Sequence, residues 1–210
     1  MDLKLKGMKK EKVNVDFFQR DNVVQVSREL LGKFLVTRIN GNTCAGMICE
    51  TEAYAGITDR ACHAFGNRRT TRTEVMFGKG GIAYVYLCYG IHHLFNIVTN
   101  REDIPDAVLI RAIYPVEGIP SMLNRRKLSH DHAAHAKRIS GGPGTLSQAM
   151  GIKVNDSGMS LQGNKIWVED RGLDIDSQLV TAKPRIGVDF AGADALLPYR
   201  FTLNPKTIVH

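Results

Sequence analysis

Short apolar runs punctuated by Gly, Asn and Pro dominate the hydrophobic pattern, which favours strands and turns over long helices. Residues 27–31 read as the end of a short helix stopped by Gly32, and 33–39 as a strand. Asn40-Gly41-Asn42 is a hairpin signal because Asn and Gly accept positive φ, and the return strand runs over 46–54. Residues 55–81 form a long Gly-, Arg- and Thr-rich connection with at most one short helix near 59–65; ordered loops of that length tend to carry function. A second hairpin is predicted from strands 83–88 and 91–98 about Tyr89-Gly90. A strand over 108–113, ended by Pro115, precedes a helix over 118–128. The Gly141-Gly142-Pro143-Gly144 loop then leads into a helix over 145–150. The tail, including KIWVED, RIGVD and YRFTL, reads as short strands and turns. The expected fold is α+β: one domain, 16–210, with a curved, mainly antiparallel sheet, surrounding helices and a protruding hairpin, preceded by a flexible basic arm, 1–15.

Composition agrees with one globular domain: 210 residues, 43% hydrophobic and 23% charged. The surplus of Lys and Arg gives a formal net charge of +7, which suits a polyanionic partner such as nucleic acid or an acidic surface without choosing between them. The four cysteines form no CxxC pair and read as free thiols in a reducing compartment. The opening residues have no apolar core region of a secretory signal, and no stretch has the length of a membrane span. A cytoplasmic, nucleoid-associated protein is expected in a bacterium, or a nuclear one in a eukaryote.

Candidate chemistry centres on ETEAY, 50–54. Strand alternation puts Glu50, Glu52 and Tyr54 on one face and Cys49, Thr51 and Ala53 on the other. On a solvated face such glutamates do nothing special; buried, a glutamate must be paired or do chemistry, for example as a general base. In the second hairpin Tyr84 and Tyr86 share a face and Tyr89 sits at the apex. Tyr89 is either an exposed turn residue or a wedge entering a base stack, and the tyrosines behind it are able to stack on a base. Arg68, Arg69 and Arg72 suit phosphate contacts or a solvated loop, and His63 suits a structural hydrogen bond or a catalytic role. His92 and His93 are adjacent on a strand and face opposite ways, while His130, His132 and His135 have no companion Cys, so no metal site is expected.

Six runs resemble the alkyladenine (3-methyladenine, methylpurine-type) DNA glycosylase family: 50–54, 59–72, 76–98, 108–118, 141–152 and 185–201. The likeness spans 16–201. It implies hydrolysis of the N-glycosidic bond of a flipped, damaged purine in double-stranded DNA by a monomer with no cofactor and no lyase activity. It implies Glu52, not Glu50, as general base, with Arg111 holding the attacking water and the backbone near the sugar. Tyr54, His63 and Tyr86 would sandwich the base, Asn96 would clash with the exocyclic amino group of guanine, and Tyr89 would be the wedge. The chain departs from the family pattern with Thr73 for an asparagine, Gly80 for a proline and His92-His93 for bulkier neighbours, which leaves the preferred lesion open. Without the resemblance, two other readings stand: a non-catalytic nucleic-acid-binding module, and a hydrolase or transferase of small nucleosides or one-carbon substrates.

Overall fold

Asn40 and Gly41, with φ of 52° and 77°, close a two-residue turn between β2 (Phe34–Ile39) and β3 (Asn42–Tyr54). That positive-φ pair matches the right-handed twist of the flanking strands. The structure, a computed structural model, describes residues 9–129 and 136–209. The histidines at 130, 132 and 135 lie outside the described residues, as does the start of the expected arm.

Among the described residues nine antiparallel strands form one sheet. The others are β1 (Glu11–Lys12), β4 (Ala83–Cys88), β5 (His92–Thr99), β6 (Asp106–Glu117), β7 (Ile166–Asp170), β8 (Val180–Lys183) and β9 (Arg200–Leu203). The main path runs β1-β7-β2-β3-β6-β5-β4. Strand β3 keeps β6 on one edge throughout; on the other it pairs first with β2 and then, over 50–52, with β9, whose second partner is β8. The β3–β6 register shifts between Ile48 and Glu50, where Cys49 is the extra residue on β3, and again between Glu50 and Thr51, where Arg111 is the extra residue on β6; these irregularities re-aim the ETEAY segment.

Alternation sorts the sheet into two faces. Ala53, Val85, Phe95, Ile97, Val108 and Ile110 join the larger core, with α2 (Val23–Glu29), α3 (Ile119–Arg126) and α5 (Pro143–Met150). Two short helices, α1 (Val15–Phe18) and α4 (Ala136–Ser140), pack there too. A last helix, α6, spans Lys206–Val209. On the opposite face the connection after β3 covers the sheet through Cys62, Ala64, Met76 and Phe77, packed on Tyr84, Val98 and Ala107. The site lies on this second face.

Several boundaries differ from the sequence reading. Residues 9–15 are not a detached arm: Glu11 and Lys12 pair with β7 and Val13 is buried, because β7 leaves an edge for them to fill. No α-helix forms at 59–65; the connection has 3₁₀ turns at Phe65–Asn67 and Glu74–Phe77. Pro115 does not end its strand, because it lies at a register shift opposite Gly46 and beyond the last β5 pairing at Leu109. In the tail, KIWVED and YRFTL carry the strands and RIGVD the turn, a bend leading into a 3₁₀ segment, Asp189–Leu196. Gly80 has a steric reason: a Cβ there would collide with the Phe18 and Asn100 carbonyl oxygens.

Candidate active site

A cleft of about 600 Å³ opens on the second face of the sheet. Its floor comes from alternate residues of four strands: Glu52 and Tyr54 on β3, Leu109 and Arg111 on β6, Asn96 on β5, and Tyr84 and Tyr86 on β4. The covering connection adds His63 and Arg72 as one wall, and residues 186–190 form another. Tyr89 stands at the mouth.

Glu52 is fully buried. Its Oε1 accepts from the Ile186 backbone N–H at 2.9 Å and is 3.2 Å from Nη1 of Arg111. Its Oε2 accepts from the Tyr54 hydroxyl at 2.7 Å. Two hydrogen-bond donors and the Arg111 cation make this a fitted cradle for a carboxylate, which only accepts. Burial, reinforced by the Glu52 charge, pushes the Tyr54 hydroxyl well above its ordinary range, so it stays a donor. Glu50 shares the guanidinium: Arg111 Nε donates to its Oε1 at 3.0 Å, and Arg200 Nη1 donates to the same oxygen at 3.1 Å.

The aromatic wall is a network. His63 and Tyr86 meet edge-on with centroids 4.7 Å apart, and Tyr84 lies 5.5 Å from Tyr86. His63 Nδ1 is 2.8 Å from the Tyr84 hydroxyl, while Arg72 Nη2 is 3.0 Å from Nε2. The same Nη2 is 3.4 Å from Nδ1, so the guanidinium bears on both ring nitrogens, and as a cation it favours a neutral imidazole. Burial first, and the Arg72 charge second, depress the His63 pKa to about 4. Burial also raises the Tyr84 hydroxyl to about 12. The Arg72 guanidinium lies 4.7 Å over the Tyr86 ring. The Asn96 amide nitrogen donates to the Tyr84 and Leu94 carbonyls, fixing the side chain.

Tyr89 has φ 51° and is 92% exposed at the tip of the β4–β5 hairpin, with exposed Leu87 and Ile91 beside it. The three loop arginines separate. Arg72 enters the cleft; Arg69 is bound to Glu74 and Asp103 and stacks on Phe77; Arg68 is exposed without an ion pair among the described residues. His92 faces the cleft, whereas His93 accepts from the Val154 N–H on the other side. Among the described residues no group of His, Cys, Asp and Glu is arranged to hold a metal. Nor is any helix of these residues long and apolar enough to cross a membrane. The four cysteines are free thiols.

Two contributors escaped the sequence reading. The Ile186 N–H is a backbone group and leaves no trace in residue type. Arg185 is buried, paired through two nitrogens with Asp59, and also donates to the Ala53 and Asp194 carbonyls while lying 4.8 Å over the Tyr54 ring. An arginine preceding an apolar residue in a run of short strands and turns gave no signal of this; its only hint was its place in a matching run.

The pattern of the family described as Methylpurine-DNA glycosylase (MPG) matches residues 16–207. Relatives named "Putative 3-methyladenine DNA glycosylase" include one from Chlamydia felis, 44% identical over 190 residues, covering 90% of this chain and 95% of the relative. Another, from Clostridium acetobutylicum, is 45% identical over 197 residues, covering 92% and 95%. A third, from Desulfitobacterium hafniense, is 43% identical over 197 residues, covering 92% and 96%.

Proposed function

The chain belongs to the methylpurine-DNA glycosylase family and is a DNA N-glycosylase of DNA repair, and from that premise we propose that it everts an alkylated or deaminated purine from duplex DNA and hydrolyses the bond to its sugar by direct attack of water. The observation that carries this reading is the fully buried Glu52, held by two hydrogen bonds and the Arg111 cation in the floor of an open, aromatic-walled cleft.

The C1′–N9 bond breaks with its electron pair leaving on the base, and positive charge develops on the sugar. Water attacks C1′, and Glu52 takes its proton while its charge stabilises the cationic transition state. Arg111, 3.2 Å from Glu52, orients the carboxylate and holds water and the DNA backbone near the sugar. No lysine nucleophile takes part, so the product is an abasic site on an unbroken strand.

Tyr54, His63 and Tyr86 take the everted base between them. A neutral His63 adds no charge against an alkylated, cationic purine, and the ring faces attract such a base by about 0.5–2 kcal/mol. Arg72 occupies one face of Tyr86 and leaves it when a base enters. Asn96, fixed by two carbonyls, stands against the exocyclic amino group of guanine. Tyr89 fills the gap left in the stack, offsetting an unstacking cost of a few kcal/mol. Arg68 meets phosphate, with Arg69 and Arg72 joining if DNA draws them from their present partners. The protein acts as a monomer on damaged duplex DNA and needs no cofactor.

Incubation with methylated duplex DNA tests this reading. Free methylpurine should appear, with strand breaks only after alkali, and free methylated nucleoside should remain uncut. Strand cleavage by the protein alone, together with trapping of a covalent adduct by borohydride, would contradict it.

A further inference from the structure

Resting on the assignment of Glu52 as the base, we propose that Glu50 is a positioning residue: it shares Arg111 with Glu52 and so sets how strongly that guanidinium holds the catalytic carboxylate. Arg111 spans two carboxylates: its Nε donates to Glu50 at 3.0 Å, and its Nη1 makes an ion-pair contact with Glu52 at 3.2 Å. All three side chains are largely buried, with exposures of 13% for Arg111, 19% for Glu50 and 0% for Glu52. The Nε bond to Glu50 fixes the plane of the guanidinium, because its donors form a rigid fork. With Nε tied, Nη1 is held in ion-pair contact 3.2 Å from Oε1 of Glu52, without hydrogen-bond alignment, and cannot swing into a closer, two-pronged pair.

That restraint matters for a base. An arginine devoted wholly to Glu52 would stabilise its charged form and make it slower to accept a proton. A second carboxylate on the same guanidinium weakens that hold. Arg200, across the β3–β9 pairing, supplies Glu50 with its own cation, so the group of two arginines and two glutamates stays balanced. The remaining polar surroundings of Glu52 come from its own strand, from β4 and from the segment before Ile186. Tyr54 donates from β3, and Tyr86 faces it from β4. Arg185, which precedes Ile186, is spent on Asp59. None of these touches Arg111 or Glu50 by a hydrogen bond or ion pair.

The test is the pH profile of single-turnover excision for Glu50→Gln, Glu50→Asp and Arg200→Gln, with thermal melting recorded for each. Removing the Glu50 charge gives Arg111 over to Glu52, so the acidic limb should move to lower pH by about one unit and the plateau rate should fall about 10-fold. Glu50→Asp keeps the charge and should restore the limb. Arg200→Gln removes a cation from the group and should move the limb the opposite way, to higher pH; it also carries the test if Glu50→Gln does not fold. A limb that stays fixed in the folded variants, with activity following melting temperature alone, would overturn the proposal and reduce Glu50 to a structural ion pair. Failure of the base assignment is read separately, from Glu52→Gln retaining wild-type activity.

Discussion

The Tyr54 hydroxyl donates a 2.7 Å hydrogen bond to Oε2 of Glu52, two residues earlier on the same strand face. Tyr54 therefore has two jobs, a ring in the aromatic wall and a hydroxyl that aims the carboxylate. Tyr54→Phe separates them. A hydrogen bond to a charged group contributes about 1.5–3 kcal/mol, so single-turnover excision should fall roughly 10- to 100-fold while lesion-duplex binding stays near wild type. An unchanged rate would show that Ile186 and Arg111 suffice to hold Glu52.

His63 should remain neutral at pH 7, with a pKa of about 4 set first by burial and then by Arg72. Titration followed by NMR should show this, and Arg72→Ala should move the value up toward the ordinary 6.5. Because the folded pKa is depressed, the unfolded chain binds more protons between about pH 4 and 6.5. The His63 contribution to stability is thus complete above 6.5 and is lost as pH falls through that window. An imidazole protonated at pH 6 in the folded protein would refute a neutral His63.

The buried Asp59–Arg185 pair ties the covering connection to the segment that presents the Ile186 N–H to Glu52. Asp59→Asn removes one charge and leaves the other buried, a change that costs about 3–5 kcal/mol. Melting should drop accordingly, with excision falling in step as the backbone donor loosens. A melting curve that does not move would show that the pair has no structural weight.

Tyr89→Ala should slow excision from a duplex about 100-fold, the equivalent of a few kcal/mol of unstacking, yet leave a lesion in single-stranded DNA nearly unaffected. Equal losses on both substrates would remove the wedge role.

Local signals carried much of this fold. Asn40-Gly41 named its turn, the alternation in ETEAY put Glu52 and Tyr54 on one face, and Tyr89-Gly90 marked a protruding tip. What escaped was non-local. The bulge at Cys49 arises from pairing with β6, and the seating of Glu11 and Lys12 depends on an open edge of β7. Pro115 looked like a strand end because only the three-dimensional register shows a position that tolerates a missing N–H. Glu50 and Glu52 were alike by alternation; what sets Glu52 apart includes the Ile186 N–H, which reaches it from 134 residues away. The family resemblance chose between them where spacing did not.

The central claim is that Glu52 is the base, and the most direct measurement is single-turnover release of free base from methylated duplex DNA by the wild type and by Glu52→Gln. The substitution keeps size and removes the charge, so release should fall by at least about 100-fold with binding of the lesion duplex retained. Equal release by the two proteins, or none by either, would contradict the account.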